Sequence, residues 1–152
     1  MRALVIAFIA SSLIANTWFV VAASAPNSPF DQYGTIRWND EMARLDNYAF
    51  QLQNYQHSIG FIVGLDADGG CPGEAKARAM RAKRYIVERR GIPPNRVAWR
   101  IDGHQKDSRT TLLIVPTGAS VAYPFHEPSS GTDGPLTKKC QTRLLQIARS
   151  RW

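Results

Sequence analysis

The stretch from Leu65 to Arg78, "LDADGGCPGEAKAR", collects two aspartates, a cysteine, a glutamate and two basic residues around a glycine-rich turn. Three chemistries use such parts. A nucleotide-binding phosphate loop needs a lysine followed by serine or threonine where the helix begins, and Glu74 and Ala75 stand there instead. A calcium loop would start with Asp66, Asp68 and Gly69, but the third acidic ligand and the closing glutamate are missing. Two carboxylates are too few for a hard cation that takes about six to eight oxygens. The ordinary role of Asp68, Gly69 and Gly70 is a tight turn. No metal site and no cofactor are expected.

Catalytic groups are equally sparse. His57, His104 and His126 fall in unrelated places, with no serine, cysteine or aspartate set around them in a local catalytic pattern. A non-enzyme is expected. The chain has two cysteines, Cys71 and Cys140, and no histidines near them at metal-ligand spacing. One intramolecular disulfide is therefore expected, and closing so long a loop stabilises a fold by roughly 4 kcal/mol in the chain-entropy picture.

The compartment follows from the other end. Met1 and Arg2 precede "ALVIAFIASSLIANTWFVVAASA", an uncharged apolar run that closes on small residues. Residues 1–25 read as a signal peptide, cut after Ala23, or as an uncleaved membrane anchor; either places the remainder in the periplasm or cell envelope. Membrane contact is expected only if that segment is retained. The net charge is +7 and it is concentrated: seven Lys or Arg against two Glu from Glu74 to Arg90, and five against none from Thr137 to Trp152. A cationic surface seeks anionic partners. Export argues against nucleic acid, although Trp99 and Tyr85 accompany the basic helix.

These groups need a scaffold, and the 152 residues have room for one domain and a tail. Prolines in "PNSPFDQ" make residues 26–32 a linker. "YGTIRW" suits a short strand. A helix follows, with Asn39 as N-cap, Asp40 and Glu41 in its first turn, Trp38 stapled across it, and an apolar stripe of Met42, Leu45, Ala49 and Leu52. "HSIGFIVGLDA" alternates as a packed strand, with Ile59, Phe61, Val63 and Leu65 on one side and small residues or Ile62 on the other. The second helix spans about 73–90, with Pro72 at its first position and Gly91 at its C-terminal cap. "RVAWRIDG" and "RTTLLIVPTG" supply two more strands, joined by the polar "GHQKDSR". The order is β-α-β-α-β-β: an α+β fold, a two-layer βαβαββ sandwich with a mixed sheet and both helices on one face. Residues 119–134 read as an irregular loop, and the tail from 118 to 152 ends in a short basic helix that offers Leu144, Leu145 and Ile147 for docking.

Two segments carry a family resemblance over roughly residues 30–117. "FDQYGTIRWNDEMARLDNYAFQL" and "ARAMRAKRYIVERRGIPPNRV" resemble the opening strand, first helix and arginine-alanine helix of the OmpA-like family, the peptidoglycan-binding C-terminal domain of outer membrane protein A and its relatives. Arg78, Ala79, Tyr85, Gly91, Ile92 and Arg96 follow the family's order. Exported bacterial members with a similar "CPGEA" segment are closest in texture.

The resemblance implies a domain over 33–117 that recognises diaminopimelate of the peptidoglycan stem peptide. Arg78 would hold a carboxylate, and Asp66 or Asp68 the ammonium group. The family's later Asn-Arg-Arg signature is absent, and Arg109, near its position, would join the ligand-binding set. Arg78 also stands four residues after Glu74, the spacing of a helix-surface ion pair. The expected partners are peptidoglycan or another anionic envelope component. The alternative is a structural subunit of an envelope complex that keeps the fold without the wall ligand and docks on a protein partner.

Overall fold

The computed structural model describes residues 28–121, 123 and 136–150. The apolar run of 1–25, most of the 119–134 loop and His126 lie outside the described residues. Seven principal elements follow in order: β1 (Asp31–Tyr33), α1 (Trp38–Asn54), β2 (Ser58–Ala67), α2 (Glu74–Arg90), β3 (Val97–Gln105), β4 (Arg109–Pro116) and α3 (Lys138–Arg149). The four strands form one sheet in the order β1-β4-β2-β3. β2 runs parallel to β3 and antiparallel to β4, and β1 antiparallel to β4, so the sheet is mixed. The α+β two-layer sandwich is the fold.

Both long helices cover the face of β2 that carries Gly60, Ile62, Gly64 and Asp66. At Gly60 a Cβ would sit 2.6 Å from Leu52 Cδ1 and 2.7 Å from the Tyr48 hydroxyl, so the missing side chain lets α1 lie close. Gly64 does the same for the start of α2 at Ala75. The core between the layers joins Leu45, Tyr48, Ala49 and Leu52 of α1, Ala79, Ala82, Tyr85 and Ile86 of α2, and Ile62, Val97 and Leu112 of the sheet. The expected α1 stripe is this face, with Met42 at its edge.

Three boundaries differ from expectation. The first strand is Asp31–Tyr33, taking its first two residues from the expected linker. "TIRW" does not pair: the Thr35 hydroxyl lies 3.0 Å from that of Ser108, and Ile36 packs against the core. The N-cap of α1 is Arg37, without a side-chain bond, and Asn39 is inside the helix. Trp38 opens that helix and meets Tyr85 edge-on at 5.6 Å, so tertiary packing displaced the local cap. Pro72 lies in the turn before α2, whose N-cap is Gly73 at φ 80°. Gly91, at φ 68°, ends α2 as expected.

The last helix is joined to the same body. Thr137 caps it, accepting from the Cys140 amide at 3.3 Å, and α3 lies against α2. Of the three residues expected to dock it, Ile147 is buried, Leu144 is half-buried and Leu145 is exposed. Among the described residues no helix is long and apolar enough to cross a membrane.

Candidate functional site

The C-terminal end of β2 delivers Asp66 beneath the start of α2. Gly73 has no side chain with which to cap that helix, and the Asp66 carboxylate does so from the strand: its Oδ1 accepts the Ala75 N–H at 2.6 Å. No second hydrogen bond reaches this buried carboxylate among the described residues. Beside it, β3 holds one more residue than β2 between the Gly64–Ile101 and Asp66–His104 pairs, and Gly103 takes φ 89° there.

Cys71 and Cys140 form the expected disulfide, with Cα atoms 5.3 Å apart. The bridge fixes the first turn of α3 next to the turn before α2. Glu74 and Arg143 each stand three residues after a bridged cysteine, and they meet: Arg143 Nε lies 2.7 Å from Glu74 Oε2, and its Nη2 donates to Oε1 at 2.8 Å. Such fork-to-fork pairing is directional as well as charged.

Arg78 reaches the same glutamate from one turn along α2. The ion pair at i,i+4 exists, but it is buried rather than on the surface: Arg78 and Glu74 are 7% and 6% exposed. Arg78 also donates to Thr35 Oγ1 at 2.9 Å and to the Gly34 carbonyl at 3.4 Å. A cleft of about 470 Å³ opens beside this cluster, lined by Asp66, Glu74, Lys139, Arg143, Thr35 and Ser108, with the disulfide in its wall.

The structure brings Asp66 to this cleft and places Arg78 just behind it, against Glu74. Asp68 is exposed in the turn, its amide donating to the Gln105 carbonyl at 2.7 Å, and it does not line the cleft. Arg109 pairs in register with Leu65, which puts it on the sheet face away from the helices and apart from Arg78. His57 and His104 are exposed and outside the cleft. Among the described residues no three of His, Cys, Asp and Glu converge as a metal site.

Two groups of functional interest were not singled out from sequence. Arg143 is one, although the shared offset from the paired cysteines pointed to it. The other is the Glu41–Arg81 ion pair, which crosses from α1 to α2 with side chains 2% and 7% exposed. Arg81 lies over the Trp38 ring at 4.3 Å, and the Tyr33 hydroxyl donates to Glu41 at 3.3 Å. Burial raises the Glu41 carboxyl above its ordinary range, against the opposing pull of Arg81. Burial, reinforced by Glu41, holds the Tyr33 phenol well above its own. The partners are 40 residues apart, so no local spacing announces them.

The chain matches no family model, no curated protein and no solved structure.

Proposed function

We propose that this chain is an exported cell-envelope module that binds the peptidoglycan stem peptide without covalent chemistry, recognising the amino-acid end of diaminopimelate in the cleft beside the disulfide. The observation that carries the reading is the mixed lining of that cleft. The Asp66 carboxylate, with one bond from Ala75, offers an acceptor for an ammonium group. Arg143 and Lys139 offer donors for a carboxylate in the same cavity. The OmpA-like resemblance of residues 30–117 supports the substrate class. Arg78 enters only through Glu74, with which an incoming carboxylate competes.

The test is co-sedimentation of a form lacking residues 1–25 with purified peptidoglycan. Asp66→Asn keeps an acceptor for Ala75 and removes the charge, and a tenfold weaker retention, about 1.4 kcal/mol, is expected. Retention that is absent in the parent chain, or unchanged in both Asp66→Asn and Arg78→Ala, overturns the reading.

One observation favours a second reading, an envelope-complex subunit without a wall ligand. Arg78 is already satisfied by Glu74, Thr35 and Gly34, and lies behind α3. Release from the membrane fraction by high salt, with no response to added diaminopimelate, distinguishes it.

A further inference from the structure

On the other side of Arg143, between α2 and α3, lies a separate cavity of about 290 Å³. Three arginines line it, Arg78, Arg81 and Arg143, together with Gln146 and Ser150, and among the described residues no acidic side chain does. Among the described residues two carboxylates pair with these arginines: Glu74 takes Arg78 and Arg143, and Glu41 takes Arg81. The three cations therefore face two anions among the described residues: Arg78 and Arg81 are more than nine-tenths buried against theirs, while Arg143, which shares Glu74, opens to solvent. The surplus of one positive charge leaves a positive potential at the cavity mouth, which favours an anionic guest.

A second observation points the same way. Arg81 is 7% exposed, and among the described residues its Nε–H has no acceptor. Its Nη1 donates only to Ser150 Oγ, at a long 3.4 Å. An unmet buried donor on a charged group is destabilising until an acceptor reaches it. The rim is reachable from solvent, because the Arg143 side chain is 43% exposed and Gln146 is exposed.

We propose that the cavity between α2 and α3 is a binding site for a tetrahedral oxyanion, a phosphate group, held by Arg81, Arg143 and Arg78 with Gln146 and Ser150 at its mouth. A planar carboxylate is satisfied by one or two guanidiniums, whereas a phosphate accepts from three directions at once. The site shares Arg143 with the wall-binding cleft but not Asp66 or Lys139, and phosphate binding is read without peptidoglycan, so failure of one reading leaves the other to its own test. A phosphorylated envelope glycan, an anionic lipid headgroup and free phosphate share this chemistry.

Inorganic phosphate is the first probe, titrated by calorimetry and by amide NMR of the full chain in a nonionic detergent, with chloride adjusted to hold ionic strength constant. Saturable binding is expected, with shifts centred on Gln146 and Ser150. Arg143→Gln should weaken it about tenfold, and Arg143→Lys less, because the charge stays while the fork is lost. Lys139→Gln, in the neighbouring cleft, should leave it unchanged. Vesicles with and without phosphatidylglycerol then separate a lipid headgroup from a soluble phosphate source. The proposal fails if phosphate does not saturate by about 10 mM, a threshold set by the affinity scale, if acetate binds as well as phosphate, or if Lys139→Gln loses as much as Arg143→Gln. The NMR shifts need no variant, so a poorly folding Arg143 variant does not rescue it.

Discussion

Two seams of this protein are each crossed by an arginine–glutamate pair, and they are built in opposite ways. Between α1 and α2 the Glu41–Arg81 pair lies against Tyr33 and Trp38, in a seam where Leu45, Ala49, Ala82, Tyr85 and Ile86 are also buried, so apolar burial already holds it. Between α2 and α3 the Glu74–Arg143 pair sits beside a disulfide, and Ile147 is the buried apolar residue that α3 contributes. One buried isoleucine stabilises by about 1.5–3 kcal/mol, and a helix this short is marginal alone. A covalent link does for α3 what packing does for α1. In the first seam the ion pair adds orientation at a desolvation cost; in the second it helps to hold a helix that packing alone would hold weakly.

The largest effect should come from breaking the first seam. Arg81→Met leaves Glu41 buried without its partner and should cost about 3–5 kcal/mol in urea unfolding. The paired replacement Glu41→Leu with Arg81→Met should recover most of that. If the double variant is as unstable as the single, the pair is not what the seam depends on.

Cys140→Ser tests the second seam. Loss of the cross-link should lower unfolding stability by up to roughly 4 kcal/mol. Hydrogen exchange separates the two seams more sharply: amides of α3 should lose protection while those of β2 and β4 keep theirs. Equal loss in both would mean that α3 is as integral as α1.

A smaller change probes the close approach under the first seam. Gly60→Ala drives a methyl group into Leu52 and Tyr48, both fully buried, and should cost about 1–3 kcal/mol by overpacking. No seam-two contact is touched, so α3 exchange should be unchanged at equal global stability.

The smallest effect is a pH dependence. The folded state holds the Glu41 proton more tightly than the unfolded chain does, so its contribution to stability is complete below the ordinary glutamate range. It is lost as pH rises through the raised folded value. Tyr33 acts with the same sign at alkaline pH, its contribution present below about 10, the ordinary tyrosine value, and lost above it. Glu41→Gln should flatten the acid-side slope of denaturation midpoint against pH and leave the alkaline fall in place; an unaltered slope would assign that dependence elsewhere.

Much of the fold was legible because its signals are local. The spacing of Leu45, Ala49 and Leu52, the alternation through Ile62, and Gly91 with Pro93 and Pro94 each report on a few neighbouring residues. Where tertiary contacts compete, local rules gave way: Asn39 is a better cap than Arg37, yet Trp38 is placed by Tyr85 and Arg81. The candidate site divides on the same line. Asp66 and Arg78 follow from the family resemblance, which also names Asp68 and Arg109, and these two face elsewhere.

What the sequence by itself determined is the element order, the α+β class and the cysteine pair, since period, turn chemistry and parity are written in the order of residues. What only tertiary structure decided is which charges meet. Glu41 finds Arg81 across 40 positions, and Glu74 finds Arg143 across 69. Coulomb attraction depends on distance and burial, and neither exists until the sheet, the two helices and the disulfide have brought those side chains together.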